Sequence, residues 1–109
     1  MDVHIGSENG WRVVRLDNGR FPFPIVRYRK CDLCIDGHDT TYKMETMIAE
    51  GGGGYTWADG SGYFLNDNET NRILDCIEDT AKNIRNETGR RAAMWAVGDA
   101  TSLLLQDIE

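Results

Sequence analysis

Residues 11–30, WRVVRLDNGRFPFPIVRYRK, are the stretch that decides the fold of this chain of 109 residues. Two runs rich in Val, Ile and aromatic residues flank Asn18-Gly19, which favours a type I′ turn because both central residues need a positive φ. The stretch therefore predicts an antiparallel β-hairpin. Pro22 and Pro24 cannot donate ladder hydrogen bonds, so they place this end of the returning strand at a sheet edge or in a β-bulge.

More strands are expected beyond this hairpin. Residues 40–48 alternate as in a strand, although Met44, Met47 and Ile48 also fit a helical stripe. The strand interpretation is preferred because residues 55–65, YTWADGSGYFL, are typical of a hairpin partner. The glycines between them predict a hairpin loop rather than a phosphate loop, because a strand-like stretch follows and no Gly-Lys-Ser/Thr occurs.

A long helix is predicted from about residue 68 to residue 88. Asp67 or Asn68 is placed to cap its start, and Gly89 is placed to end it. Cys76 falls at the margin of the apolar stripe. The residues that share this stripe at helical spacing are Ile73, Leu74, Ile77, Ala81 and Ile84.

The last twenty residues are helix-like in composition. Gly98-Asp99 is expected to divide them, with Asp99 capping a second short helix. A strand at residues 92–97 is the alternative interpretation.

These elements predict a single α+β domain over residues 1–109. An antiparallel sheet forms mainly from the first two-thirds, with the long helix and a second helical or mixed segment packed on one face. Trp11, Trp57 and Trp95 fall in different thirds of the chain, and each is expected to contribute to the core.

The net charge of −6 is unevenly distributed. Residues 1–43 carry seven basic and six acidic residues (+1), whereas residues 44–109 carry five and twelve (−7). Direct nucleic-acid binding requires a strong positive field, so it is not expected here. An acidic surface favours a basic protein partner instead.

The sequence indicates a cytoplasmic protein with no membrane partner. Its first ten residues show no basic region followed by an apolar run, so no signal peptide is predicted. The longest apolar run, residues 92–97, is too short to cross a bilayer. Three cysteines, an odd number, disfavour a secreted disulfide framework.

Zinc is the cofactor that the sequence leaves open. A C-x2-C pair supplies two thiolates from one turn, and a nearby His and a helix-borne Cys would complete four ligands. The candidate ligands are Cys31, Cys34, His38 and Cys76. The alternative, a loop with incidental thiols, is preferred because only one such pair is present. No catalytic arrangement of nucleophile, base or paired carboxylates is recognisable, so an enzyme is not expected.

Small size and an acidic C-terminal part favour a protein that binds another macromolecule. We expect a stoichiometric protein inhibitor that lays an acidic surface into the basic groove of a nucleic-acid-binding protein. In size and charge the chain is similar in type to small phage-encoded anti-CRISPR inhibitors and to toxin-immunity proteins, without a shared motif. The expected acidic contacts on or near the long helix are Glu69, Asp75, Glu78, Asp79 and Glu87.

Two alternatives to an inhibitor stay open. One is a small zinc-stabilised binding module built on the four candidate ligands, which a chelator would unfold. The other is a self-assembling phage or virion accessory protein, which would form oligomers. The sequence predicts neither the oligomeric state nor the identity of the partner.

Overall fold

The computed structural model describes residues 1–20, 22–30, 42–50, 52–58, 63–65 and 67–108, and these residues form six strands and two helices. The α+β class and the helical C-terminal half are confirmed. In chain order the elements are β1 (Asp2–Glu8), β2 (Trp11–Asp17), β3 (Pro22–Lys30), β4 (Tyr42–Ala49), β5 (Tyr55–Trp57), β6 (Tyr63–Leu65), α1 (Asp67–Lys82) and α2 (Arg90–Ile108).

The strands form one antiparallel sheet in the order β1-β2-β3-β4-β5, with β6 also paired to β4. β5 pairs with residues 47–49 of β4 and β6 pairs with residues 42–44. The two short strands therefore follow each other along the same side of β4, with a register that differs by three residues. The predicted strand over residues 40–48 and its hairpin partner are confirmed for the described residues.

The tightest turn of the sheet lies at Asn9-Gly10, between β1 and β2. Glu8 pairs directly with Trp11, and the two residues between them have φ values of 52° and 84°. A two-residue turn with both φ positive is the type I′ geometry, whose twist matches that of the strands. β1 itself was not predicted from the sequence.

The predicted type I′ turn at Asn18-Gly19 is wrong, although the hairpin of β2 and β3 is confirmed. Only Gly19 has a positive φ, and Asp17 pairs with Pro22, so four residues separate the strands. The Gly19 amide donates to Oδ1 of Asp17 at 2.8 Å, and the Arg20 amide donates to Oδ1 of Asn18 at 2.9 Å. Local side-chain acceptors thus hold a wider loop than the dipeptide predicts.

The prolines behave as expected. Val14 pairs with Val26 and Arg15 with Pro24, so Ile25 is an extra residue that forms a β-bulge. On its other side, β3 pairs with β4 from Val26 onwards. The proline-containing end of β3 is therefore paired to β2 alone among the described strands, which leaves room for residues that lack an amide proton.

α1 is shorter than predicted because it ends at Lys82. Gly89 does not terminate it, since the Gly89 carbonyl instead accepts the Ala93 amide at 3.0 Å as α2 begins. The amino group of Met1 donates to the carbonyls of Ala81 and Ile84 at 3.0 and 2.9 Å. A positive charge at carbonyls near the end of α1 complements the C-terminal end of the helix dipole.

α2 is one continuous helix through Gly98-Asp99, so the predicted division at that point is wrong, as is the alternative of a strand at residues 92–97. Neither of the two described helices combines the length and apolar character needed to cross a bilayer.

The core lies between the helices and one face of the sheet. α1 contributes the predicted stripe as far as Ala81, with Leu74 packed at its edge, and Ile84 packs against the core from beyond the end of α1. The buried residues of this cluster are Val14, Leu16, Phe23, Ile25, Val26, Met44, Ile73, Ile77, Ala81, Ala93, Met94 and Val97. None of the three tryptophans belongs to it, which corrects the expectation that each would be a core residue.

Candidate functional site

The predicted acidic contacts only partly share one surface. Asp75, Glu78 and Asp79 are exposed on α1, within little more than one turn. Glu69 is half-buried in the first turn and already has an interaction partner. Glu87 lies beyond the end of α1, 4.0 Å from the Arg85 guanidinium, so it does not belong to the helix face as expected.

The predicted zinc ligands are not brought together by the part of the chain that is described. Cys76 is a half-buried free thiol on α1. Cys31, Cys34 and His38 lie outside the described residues. Within residues that are described, no group of three His, Cys, Asp or Glu side chains is close enough to hold a metal ion.

A cavity of about 620 Å³ forms a groove between α2 and the C-terminal half of β4, here called the α2–β4 groove. Cavities of roughly 300–1,000 Å³ are the usual size of binding sites. Val26 and Val97, both buried core residues, lie at its base. Its α2 wall is a stripe at helical spacing that comprises Arg91, Met94, Trp95, Gly98, Asp99 and Ser102. Its other wall comprises residues 46–49 of β4 and Glu50, which follows that strand.

Two large apolar side chains flank the α2–β4 groove while exposed to solvent. Trp95 on α2 is 62% exposed, and Ile48 on β4 is 46% exposed. Single exposed apolar residues are common, but here two of them border one cavity that reaches the core. Trp is also the residue most enriched among energetically dominant interface contacts.

Gly98 lines the α2–β4 groove. It lies in the interior of α2, where Gly is about 1 kcal/mol less favourable than Ala. A Cβ atom at this position would meet no heavy atom within 4 Å. Neither its backbone, whose φ is not positive, nor a close neighbour requires Gly here.

Three charged residues form the rim of the α2–β4 groove. Arg91 lies at the start of α2, Asp99 lies two turns further along, and Glu50 follows β4. All three are exposed, and the ion pairs found among the described residues include none of them. The rim therefore has one more negative charge than positive.

The opposite face of the sheet carries an arrangement that sequence reasoning did not anticipate. The guanidinium carbon of Arg27 lies 4.2 Å from the ring centre of Trp11 and 4.6 Å from that of Trp57. The guanidinium carbon of Arg29 lies 4.6 Å from Trp11. These four side chains, here called the open-face stack, alternate cations with indole rings.

A buried ion pair anchors the open-face stack. Glu45 is 6% exposed, and its Oε1 accepts a hydrogen bond from Nε of Arg27 at 2.7 Å and forms an ion pair with Nη2 at 2.5 Å. A buried carboxylate needs such a partner because desolvation otherwise disfavours its charge. Arg27 is thus held on three sides, by two rings and one carboxylate.

Sequence reasoning missed both surfaces because it assigned the tryptophans to the core. A signal existed for Trp95, since Ala93, Met94 and Val97 already occupy the face of α2 that meets the core. For the open-face stack, the alternation of Arg27 and Arg29 along β3 places both on one face. No local pattern shows that two rings from β2 and β5 lie beside them.

Comparisons with known proteins found no matching family, no matching curated protein and no matching solved structure. The class that the fold defines is therefore structural: a six-stranded antiparallel sheet, among the described residues, with two helices on one face.

Proposed function

We propose that this protein acts by binding another protein, and that the α2–β4 groove receives apolar side chains of that partner. The observation that carries this proposal is the exposure of Trp95 and Ile48 on either side of a cavity that reaches the core. Burying both side chains in a complex would remove large apolar areas from water, which is the main driving force of association.

Gly98 provides a second, independent argument that the α2–β4 groove is a binding surface. A helix interior that keeps Gly without a backbone or packing requirement gives up stability. Such a sacrifice is typical of functional sites, where stability and activity compete. Here the benefit is space for a partner's side chain within the groove.

The charge of the chain indicates the chemistry of the partner. The rim has a net negative charge, and the whole chain carries −6. A basic protein segment with apolar anchors complements both properties, and attraction between the charges raises its association rate. A stoichiometric inhibitor of a basic nucleic-acid-binding protein is the specific form of this proposal.

The test is capture followed by titration with purified components. A photo-crosslinking amino acid at Ser102, on the groove wall, captures proteins from the host cell, and each captured protein is then purified and titrated. Trp95→Ala and Gly98→Leu should each weaken binding by at least about tenfold, since truncating or blocking a central interface contact costs about 2 kcal/mol or more.

Ala96→Leu is the matched control, because Ala96 is exposed on α2 and does not line the groove. It should leave the affinity unchanged within about twofold. Equal binding of the wild-type protein, Trp95→Ala and Gly98→Leu would refute the groove as the contact surface. Self-association that Trp95→Ala abolishes in sedimentation would instead identify the occupant as a second copy, as in the self-assembling alternative.

A second proposal concerns the acidic face of α1. Asp75, Glu78 and Asp79 are exposed together, with Lys82 4.0 Å from Asp79 as the cation in contact with them. Replacing the three carboxylates with Lys should slow association with a basic partner and reverse its salt dependence. An unchanged association rate at low salt would rule out this electrostatic contribution while leaving the groove untouched.

A further inference from the structure

Two cations face each other on the sheet surface away from the helices. Arg29 on β3 pairs directly with Lys43 on β4 in the antiparallel register. Both lie on the same face as Arg27 and Glu45, which are two residues away on each strand. Like charges in direct cross-strand opposition destabilise a sheet. A function of these two side chains would explain why both are present.

The local charge of this surface is unbalanced. Arg27, Arg29 and Lys43 surround one described carboxylate, Glu45, which leaves a net charge of +2 in a chain whose total is −6. Glu45 interacts with Arg27 through two short contacts, whereas Nζ of Lys43 lies 4.0 Å from Oε2 of Glu45. Among the described residues, no carboxylate forms an ion pair with Arg29.

Among the residues that the structure describes, Arg29 contacts an aromatic ring and forms no ion pair with its N–H donors. Its guanidinium carbon lies over the Trp11 ring, 4.6 Å from the ring centre. A contact of this kind positions the group without using its N–H donors. A preoriented guanidinium edge beside an ammonium group suits the oxygens of a phosphate group, which accept several charge-assisted hydrogen bonds at once.

A cleft of about 160 Å³ is lined by three members of the open-face stack, Trp11, Arg27 and Trp57. Arg29 and Lys43 do not line this cleft, but Arg29 lies over the Trp11 ring that forms part of its wall. Val13 and Pro24 supply further apolar walls. The side chains of Glu8, Asn9 and Arg15 add polar groups, with Arg15 ion-paired to Glu8. A cleft of this size and lining accommodates one planar aromatic ring, which stacks on indole and guanidinium surfaces.

We propose that Arg29, Lys43 and the adjoining Trp11–Trp57 cleft form a binding site for a phosphorylated aromatic small molecule of mononucleotide size. Arg29 and Lys43 bind the phosphate, and the cleft binds the ring. Long nucleic acids are disfavoured, because two cations neutralise about one phosphate while the rest of the acidic chain repels a polyanion. The site is on the face opposite the α2–β4 groove, and its ligand is independent of any protein partner.

The test is an NMR titration of the isotope-labelled full chain with three probes: adenosine 5′-monophosphate, inorganic phosphate and adenosine. The monophosphate should bind with a dissociation constant of about 1 mM or below and shift the indole signals of Trp11 and Trp57 together with the Arg29 signals. Inorganic phosphate should bind more weakly and shift the Arg29 and Lys43 signals alone. Adenosine should bind weakest.

Arg29→Gln and Lys43→Gln should each weaken binding of the monophosphate by about tenfold, because each removes a charged hydrogen-bond donor. Lys30→Gln is the matched control: Lys30 is an exposed cation of the same strand whose side chain alternates to the other face. It should change the affinity by less than about twofold. Thermal unfolding of both Gln variants is measured in parallel, so that a loss of folded protein is distinguished from a loss of affinity.

Three results would overturn the proposal. They are no binding of the monophosphate at about 10 mM, equal affinity for adenosine and the monophosphate, or equal loss of affinity in Lys30→Gln. Tighter binding of a single-stranded oligonucleotide than of the monophosphate would replace the small-molecule ligand with a nucleic acid. These outcomes are distinct from failure of the groove proposal, since Trp95→Ala should leave monophosphate binding unchanged.

Discussion

The two faces of the sheet shield their buried residues from water with different kinds of side chain. The face under α1 and α2 is covered by aliphatic side chains from both layers, including Leu16 and Ile77, which are 0% exposed. The other face has no helix over it within the described residues, yet Val13 is 3% exposed and Glu45 is 6% exposed. Arginine side chains and indole rings cover these two residues in place of a second layer.

The comparison shows that an open sheet face can exclude water by stacking rather than by layering. Long Arg side chains cover apolar surface with their methylene stems and keep the charged end near water. The covered face depends on the volume of its side chains, whereas the open face depends on specific partners. Substitutions should therefore affect the two faces through different mechanisms.

Ile77→Ala on the covered face should have the largest effect, lowering the free energy of unfolding by about 3–4 kcal/mol because it leaves a cavity in a close-packed core. Urea denaturation with an unchanged m-value would measure it. A loss below about 1 kcal/mol would show that this face is loosely packed and would remove the contrast between the faces.

Arg27→Met on the open face should lower stability by about 2–3 kcal/mol, because it leaves the Glu45 carboxylate buried without its partner. The figure is below that of a fully buried pair, since the Arg27 side chain is 24% exposed.

The double variant Arg27→Met with Glu45→Met is the control for this effect. It should recover most of the loss, because removing both charges leaves no unpaired group. A double variant as unstable as Arg27→Met would show that stacking of the Arg27 side chain, and not the ion pair, holds this face together.

Trp11→Leu should cost about 1–2 kcal/mol, because Leu keeps an apolar cover over the strand and loses the contacts with Arg27 and Arg29. Thermal unfolding would measure the loss. Trp95→Leu is the matched control on α2, where the indole is 62% exposed, and it should be nearly neutral. Equal losses in both variants would indicate that the open-face stack adds nothing beyond apolar area.

The smallest effect is expected at Tyr42, which joins the sheet to α1. Its hydroxyl donates to Oδ1 of Asp67 at 2.8 Å. That hydrogen bond, then burial and then the charge of Asp67 raise the pKa of Tyr42 above its ordinary value of 10.0. Tyr42→Phe should therefore lower stability by about 0.5–1 kcal/mol at neutral pH.

The pH dependence of this contribution follows from the direction of the pKa shift. Because the folded pKa is raised, the stabilisation is fully present below pH 10 and is lost as the pH rises through the higher folded pKa. The stability difference between the wild-type protein and Tyr42→Phe should shrink over that window. A difference that stays constant as Tyr42 ionises, followed by its phenolate absorbance, would contradict the role of the hydrogen bond.

Much of the fold was predictable because it depends on local patterns. The alternation in β2 and β3, the prolines at a bulge and the apolar stripe of α1 all follow from backbone geometry within a few residues. An Asn-Gly dipeptide does form a type I′ turn in this protein, but not the dipeptide for which that turn was predicted. Asn9-Gly10 forms the type I′ turn, whereas the acceptors of Asp17 and Asn18 hold a longer loop.

The candidate sites were much less predictable. Asp75, Glu78 and Asp79 were expected to be exposed and are, since they lie opposite the apolar stripe of α1. Trp95 was expected to be buried and is exposed, because Ala93, Met94 and Val97 fill the contact with the sheet. Helix composition alone does not say which apolar residues a helix buries when it is apolar on several sides.

By itself, then, the sequence determined the α+β class, the central hairpin, the α1 stripe and the excess of acid in the C-terminal part, since each depends on residues near one another in the chain. Only the tertiary structure decided where the tryptophans lie: two on the open face around Arg27 and one beside a groove. Whether a large side chain is buried depends on which elements cover it, and that arrangement is set by packing between distant segments rather than by any local pattern.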